Sequence, residues 1–325
     1  MHRSANSKQF TLNTRRWLMM FKVFSQVAFQ KVCVGAILSG SFLAGLVSDA
    51  RAQQTGEARS VFAADYQKKL AAVVGSNNEV QWTIGIRDIH DVQHLSDGHW
   101  LLQTSFGNVV EVDAEGKEVW RYEAGKTERG GPIEIHAFRR LENGLTMIAE
   151  SGAARIIEVD RDKKIVHSIP LSVPNPDAHR DTRLVRPTPN GNYLVAHEAL
   201  GVAREYDRTG KTVWEYNVGS KLYSAVRLKN GNTLIGTGDG HRVIEVSPEK
   251  EILWQIQEKE LAGVQLAWIT MVDRLENGNT WIVNCHAGPE NPQVLEVTPG
   301  KKVVWSFKDF DRFGNALPVA IPYQR

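Results

Sequence analysis

Histidine, arginine, glutamate and tyrosine recur in this chain at fixed offsets from a repeated turn. Asp-Gly or Asn-Gly stands at 97–98, 143–144, 190–191, 230–231 and 277–278, each shortly after Leu95, Leu141, Thr188, Leu228 or Leu275. Five residues before that Leu or Thr stand His90, His136, Arg183, Tyr223 and Thr270. Six residues after the turn glycine stand Thr104, Glu150, His197, Thr237 and Asn284, followed two residues later by Asp239 and His286. Polar groups repeating in one column are not needed for packing. They mark His90, His136, Arg183, Tyr223, Glu150, His197, Asp239 and His286 as the candidate ligand-binding set. Imidazoles with a carboxylate, here His90, His136, His197 and Glu150, suit a divalent metal, because neutral nitrogen and hard oxygen are the usual ligands of zinc or manganese. His136 with Arg183 suits an anion, the guanidinium giving paired hydrogen bonds to a sulfate, phosphate or uronate. A histidine of the set could also act as base or nucleophile, which makes His90, His136 and Arg183 the catalytic candidates. None of these residues forms a local motif, so only the fold can bring them together. His94, His99, His167 and His179 lie outside the columns and are weaker candidates. Cys33 and Cys285 cannot build a disulfide framework or a four-thiolate zinc site, and Cys285 reads as a small buried hydrophobe.

The elements that must position these groups are written in the repeat itself. Copies begin near His94, Arg140, Pro187, Arg227 and Arg274. In each, a short apolar strand leads to the Asp-Gly or Asn-Gly turn, whose dipeptide supplies the positive φ of a tight hairpin. A second strand follows, then a third reading VVEVD, IIEVD, AREYD, VIEVS or VLEVT, then a fourth centred on Trp120, His167, Trp214, Trp254 or Trp305. Four antiparallel strands in each 40–50-residue repeat predict an all-β, six-bladed β-propeller. Residues 71–85 supply outer strands of a sixth blade, and Asn315–Ile321 supplies its inner strand, so both termini close the ring. For residues 60–70 the pattern favours a short helix, leaving a three-stranded last blade. The chain therefore divides into a leader at 1–52, a lead-in at 53–70 and a propeller at 71–325. Trp82, Trp120, Trp214, Trp254 and Trp305 recur at one outer position and serve packing between blades rather than a carbohydrate platform. The Glu-Val-Asp phrases are scaffold by the same reasoning.

Residues 1–31 carry bases and no acid, Val32–Val47 is uncharged, and Ala50-Arg51-Ala52 fits a signal-peptidase site. Export to the periplasm or beyond is expected, with cleavage after Ala52 and no membrane span thereafter. Thr14-Arg15-Arg16-Trp17-Leu18-Met19 is similar to a twin-arginine signal, but the apolar run begins far from the arginine pair, which favours ordinary unfolded export. The whole chain has 39 bases against 37 acids, and the exported part 32 against 36. That balance excludes nucleic acid as a partner.

Glu111-Val-Asp-Ala-Glu-Gly-Lys-Glu-Val-Trp120 and Glu205-Tyr-Asp-Arg-Thr-Gly-Lys-Thr-Val-Trp214 resemble the repeat of the quinoprotein-like (PQQ-like repeat) β-propeller superfamily, over about residues 70–325. The resemblance implies fold rather than cofactor. Quinone-dependent dehydrogenases of that superfamily are larger, eight-bladed and carry an adjacent cysteine pair, so PQQ is not expected here, and no cofactor is assigned beyond an optional divalent metal. Ile89-His90-Asp91-Val92 before Asp97-Gly98 is similar, more distantly, to the opening of a blade in arylsulfate sulfotransferases. Two functions follow as expectations. The first is a module binding a small anionic ligand, a glycan or a protein partner on the His/Arg/Glu face. The second is an enzyme of that face, sulfotransferase-like or polysaccharide lyase-like, acting on an anionic ester or glycan. A structural subunit of an envelope assembly would instead show a large exposed apolar patch on one rim.

Overall fold

The computed structural model describes residues 53–323; the leader and its cleavage site lie outside the described residues. In chain order the strands are β1 (Gln53–Thr55), β2 (Ser60–Asp65), β3 (Leu70–Val74) and β4 (Val80–Gly85). The second blade holds β5 (Val92–His94), β6 (Trp100–Leu102), β7 (Asn108–Val112) and β8 (Glu118–Glu123). The third holds β9 (Ile135–Arg140), β10 (Thr146–Glu150), β11 (Arg155–Val159) and β12 (Ile165–Pro170). The fourth holds β13 (Thr182–Pro187), β14 (Tyr193–His197), β15 (Val202–Tyr206) and β16 (Thr212–Asn217). The fifth holds β17 (Ser224–Arg227), β18 (Thr233–Gly236), β19 (Val243–Val246) and β20 (Ile252–Ile256). The sixth holds β21 (Trp268–Arg274), β22 (Thr280–Cys285), β23 (Val294–Val297) and β24 (Val303–Lys308). A single helical turn, α1 (Phe310–Phe313), then leads to β25 (Val319–Tyr323). The result is a six-bladed propeller of antiparallel sheets, as the repeat predicts.

The first blade corrects the sequence reading in two respects. Residues 60–65 form strand β2, not a helix, and the order β25-β2-β3-β4 gives this blade its full four strands. The residues of β2 are buried on both faces, so the alternation that betrays a half-buried strand is missing. The lead-in at 53–70 is thus part of the propeller. Gln53–Thr55 adds a fifth, outermost strand to the sixth blade by pairing with β24. The inner strand falls at Val319–Tyr323, a few residues later than expected.

Each hairpin turn places its glycine in the left-handed region, Gly98 at φ 87°. The preceding Asp or Asn keeps a negative φ and works through its side chain, Asp97 Oδ1 accepting from the His99 amide at 3.1 Å.

In the second to fifth blades the Glu of the third strand and the aromatic of the fourth strand bind the next blade. Glu111 accepts from Arg140 at 2.8 Å, Glu205 from Arg227 at 2.7 Å and Glu245 from Arg274 at 2.7 Å. Glu158 takes Arg208 instead, and Glu296 closes the ring on Arg59. Trp120, Trp214 and Trp254 donate Nε1 to the carbonyls of Arg161, Pro248 and Pro299, each in the last turn of the following blade. His167, where the repeat otherwise has tryptophan, makes the same contact to the Arg208 carbonyl at 2.9 Å. Arg140, Arg227 and Arg274 also lie over the Trp120, Trp214 and Trp254 rings. Trp120, Trp214, Trp254 and the third-strand glutamates are therefore inter-blade fasteners, whereas Trp305 donates to Gln54 on the strand added to its own sheet and Trp82 Nε1 has no partner among the described residues.

Candidate functional site

Where the inner strands begin, one face of the disc opens into a cavity of about 420 Å³ lined by residues of every blade except the third. His90 enters from the segment before β5, Arg183 from β13, Tyr223 from the segment before β17, Thr270 from β21 and His286 from the turn after β22. Tyr66, just after β2, and Phe106, Trp268 and Cys285 add an apolar wall. His136 on β9 sits immediately behind, its Nδ1 3.2 Å from Arg183 Nη1. The first sequence column has thus been gathered at one mouth.

The second column has not. Glu150 accepts from the Tyr122 hydroxyl at 2.7 Å and from Arg155 Nε at 2.6 Å, and His197 lies 2.8 Å from the Tyr206 hydroxyl, each within or beside its own blade. Asp239 accepts from the Lys221 amide at 2.9 Å in a surface turn. The metal set His90, His136, His197 and Glu150 is therefore not assembled. Strand pairing shifts register between Ala149 and Glu150 and between Thr182 and Val185, so constant sequence offsets no longer mean a constant face. At the fourth blade the cavity receives Glu198, one residue beyond His197.

Glu198 pairs with Arg183 Nε, and Arg183 Nη1 also lies 3.3 Å from His90 Nδ1. That guanidinium sits over the Tyr223 ring, its Cζ 5.6 Å from the centroid. Among the described residues, Arg183 Nη2 has no acceptor, and the buried Tyr223 hydroxyl has no partner. Glu134, just before β9, and His179, in the loop before β13, complete the group. Glu134 Oε2 is 3.0 Å from His136 Nε2 and 2.8 Å from His179 Nδ1.

Burial keeps the inner imidazoles neutral. It pushes His90 well below its ordinary range, with the charges of His136 and Arg183 acting in the same direction. Burial takes His136 down to about 4, against the opposing hydrogen bond to Glu134. Glu134 falls to about 2, since its bonds to His136 and His179 outweigh the burial that would raise it. Tyr223 is raised well above its ordinary value by burial, and Cys285 likewise, which leaves Cys285 an un-ionised wall residue.

Sequence reasoning missed Glu134, Glu198 and Tyr66 and ranked His179 too low. The Glu-x-His spacing of Glu134 and His136 puts both on one side of an extended chain and was the available signal for the first. The loops Lys126–Pro132 and Pro174–Ala178 line a separate surface cleft of about 690 Å³, while His179 and Arg180 carry the second loop to the cavity.

Fold and cavity together define a six-bladed propeller with a polar, aromatic-walled pocket at its axis. The PQQ-repeat family model described as outer membrane protein assembly factor BamB matches residues 105–289, and the chain belongs to that family. No curated protein sequence matches the chain. A protein of unknown function from Bacteroides caccae is 22% identical with a TM-score of 0.73, covering 82% of this chain and all of its own. A streptogramin B lyase is 10% identical with a TM-score of 0.55, over 78% of this chain and 86% of its own. A virginiamycin B lyase from Staphylococcus aureus, solved as a catalytically inactive variant with quinupristin, is 9% identical with a TM-score of 0.56, over 81% and 90%. These likenesses are likenesses of fold.

Proposed function

We propose that this protein is an exported binding module that holds a small anionic organic ligand in the axial cavity. The carrying observation is the buried Tyr223 hydroxyl, without a partner among the described residues, beside the uncommitted Nη2 of Arg183. A buried polar atom left unpaired costs about 1–3 kcal/mol, a cost that a ligand oxygen removes. Arg183, its charge balanced by Glu198, offers Nη2 as a donor, the exposed Arg180 at the rim supplies positive charge, and Trp268 and Phe106 offer flat apolar surface to the remainder of the ligand. The leader, basic and then apolar, supports export. The family's description brings a partner protein to mind, but the exposed Val80, Val119, Val166, Val213 and Leu253 lie on the outer strands of five different blades rather than in one patch.

The test is a thermal-shift panel on the purified protein with sulfate, phosphate monoesters and uronates, run beside Tyr223→Phe and Arg180→Ala. Binding to the native state raises the melting temperature by mass action. At least one anion giving a rise that both variants diminish supports the proposal. No rise with any anion, or rises indifferent to both substitutions, overturns it.

A second reading, an enzyme acting on an anionic ester or glycan at the same face, is favoured by one observation. His90 is neutral, lines the cavity and accepts from Arg183 at Nδ1, which places its hydrogen on Nε2, free to donate to a substrate oxygen. Turnover of an aryl sulfate or a polyuronate, abolished in His90→Ala, would establish it.

A further inference from the structure

Glu134, His136 and His179 present one carboxylate oxygen and two imidazole nitrogens that all lie within 4.8 Å of one another. We propose that these three residues form a binding site for a zinc-class divalent transition metal, with a fourth coordination position open toward the axial cavity. The proposal is independent of the anion reading and concerns a different set of atoms.

Two imidazoles and one carboxylate, with one position left open, are a recurrent zinc ligand set. Donors about 2.0–2.1 Å from a tetrahedral zinc stand about 3.3 Å apart. The observed 3.0 Å from Glu134 Oε2 to His136 Nε2 and 2.8 Å to His179 Nδ1 need only a small opening to reach that spacing. Glu134 and His136 are fixed by the start of β9. The His179 loop is held by Asp177, whose Oδ1 accepts the amides of His179 at 2.8 Å and Arg180 at 2.9 Å.

A second observation concerns the far side of the His136 ring. Its Nδ1 lies 2.8 Å from the Thr182 carbonyl oxygen, an acceptor that requires a hydrogen on Nδ1. Its Nε2 faces the Glu134 carboxylate, a second acceptor, and the ring is fully buried. A neutral imidazole has one hydrogen and cannot satisfy both. With a cation at Nε2 the conflict disappears: Nδ1–H donates to Thr182, as the outer nitrogen of a metal-bound histidine commonly does to a backbone carbonyl. Arg183 Nη1, 3.2 Å from that Nδ1, then donates to His90 Nδ1 at 3.3 Å.

The molecule contains a contrasting cluster. Asp97, His99 and Glu111 bring their donor atoms equally close, but Glu111 already pairs with Arg140 and Arg161, whose charges repel a cation. Among the described residues Glu134 has no guanidinium or ammonium partner.

The experiment is a zinc titration of purified, tag-free protein after chelator treatment, with metal content measured after dialysis. Glu134→Gln and His179→Ala are the test variants, since both side chains are partly exposed, and His99→Ala is the control. The expected result is one tightly held equivalent, weakened at least about tenfold in both test variants and unchanged in His99→Ala. Cobalt(II) substituted for zinc should give the intense visible bands of a four-coordinate site in the unsubstituted protein, a readout that does not depend on how the variants fold. Less than half an equivalent of zinc, affinity unchanged in both test variants, or the pale spectrum of six-coordinate cobalt would overturn the assignment. Because the titration reads bound zinc and not a bound anion, its failure would leave the anion proposal standing, and the converse also holds.

Discussion

Arg186 of the fourth blade grips Asp91 of the second with both terminal nitrogens, Nη1 at 2.9 Å from Oδ2 and Nη2 at 3.0 Å from Oδ1. Arg139 of the third blade adds a further bond to Oδ1 at 2.9 Å, and the Phe138 amide donates to Oδ2. One fully buried carboxylate thus ties three blades together, one residue along the chain from the cavity histidine His90.

Asp91→Asn should destabilise the protein by about 3–5 kcal/mol, because two largely buried guanidiniums lose their counter-charge. Urea denaturation should show a lower midpoint with an unchanged slope. A change below about 0.5 kcal/mol, the range of an ordinary surface substitution, would contradict this role.

Acid should weaken the fold through its buried histidines. His136, held at about 4, and His197, held at about 3 by burial, stay neutral in the native state but protonate near 6.5 once unfolded. The unfolded chain therefore binds more protons as pH falls below about 6.5, and stability present above that value is lost toward the folded values at about 1.4 kcal/mol per pH unit per group. Asp65, Asp181, Asp273 and Asp309, raised by burial, pull in the opposite direction at lower pH. The melting temperature should fall between about pH 6.5 and 5, and His197→Gln should remove about one proton from the slope.

Tyr223→Phe removes a buried hydroxyl that has no partner among the described residues. The stability of the ligand-free protein should increase, by up to about 1–3 kcal/mol. Calorimetric unfolding without added anion checks this; a loss above about 1.5 kcal/mol would show that the hydroxyl is satisfied in the native state.

His167→Trp should be tolerated or stabilising by about 0.5–1.5 kcal/mol, since the ring nitrogen at this position already donates to the Arg208 carbonyl and indole covers more surface. His167→Ala should cost about 1 kcal/mol through the lost bond. Thermal unfolding of the pair separates the two effects.

The repeat was legible because the second to sixth blades need the same parts: a turn glycine at positive φ, a Glu for an Arg across the blade boundary and an aromatic on the fourth strand. Strand β2 was illegible because its apolar residues and Asp65 are buried together, with Asp65 accepting the Lys68 and Ala316 amides, so period-two alternation never appears. At the site, His90, His136, Arg183, Tyr223 and Thr270 could be found by counting back from the turns. Glu150 and His197 misled, because the register shifts beside their strands turn them toward Tyr122 and Tyr206. Glu134 and His179 lie outside the strands on which the counting rests.

The inner strand of the first blade is Val319–Tyr323, while its partner β2 lies more than 250 positions earlier. As the chain emerges N-terminus first, five sheets therefore have all their strands before the first does. Throughout that interval the β2 edge has no partner and is open to a neighbouring molecule. Closure must wait until Val319–Tyr323 has emerged, and a message truncated before the codon for Val319 would encode a disc that never shuts.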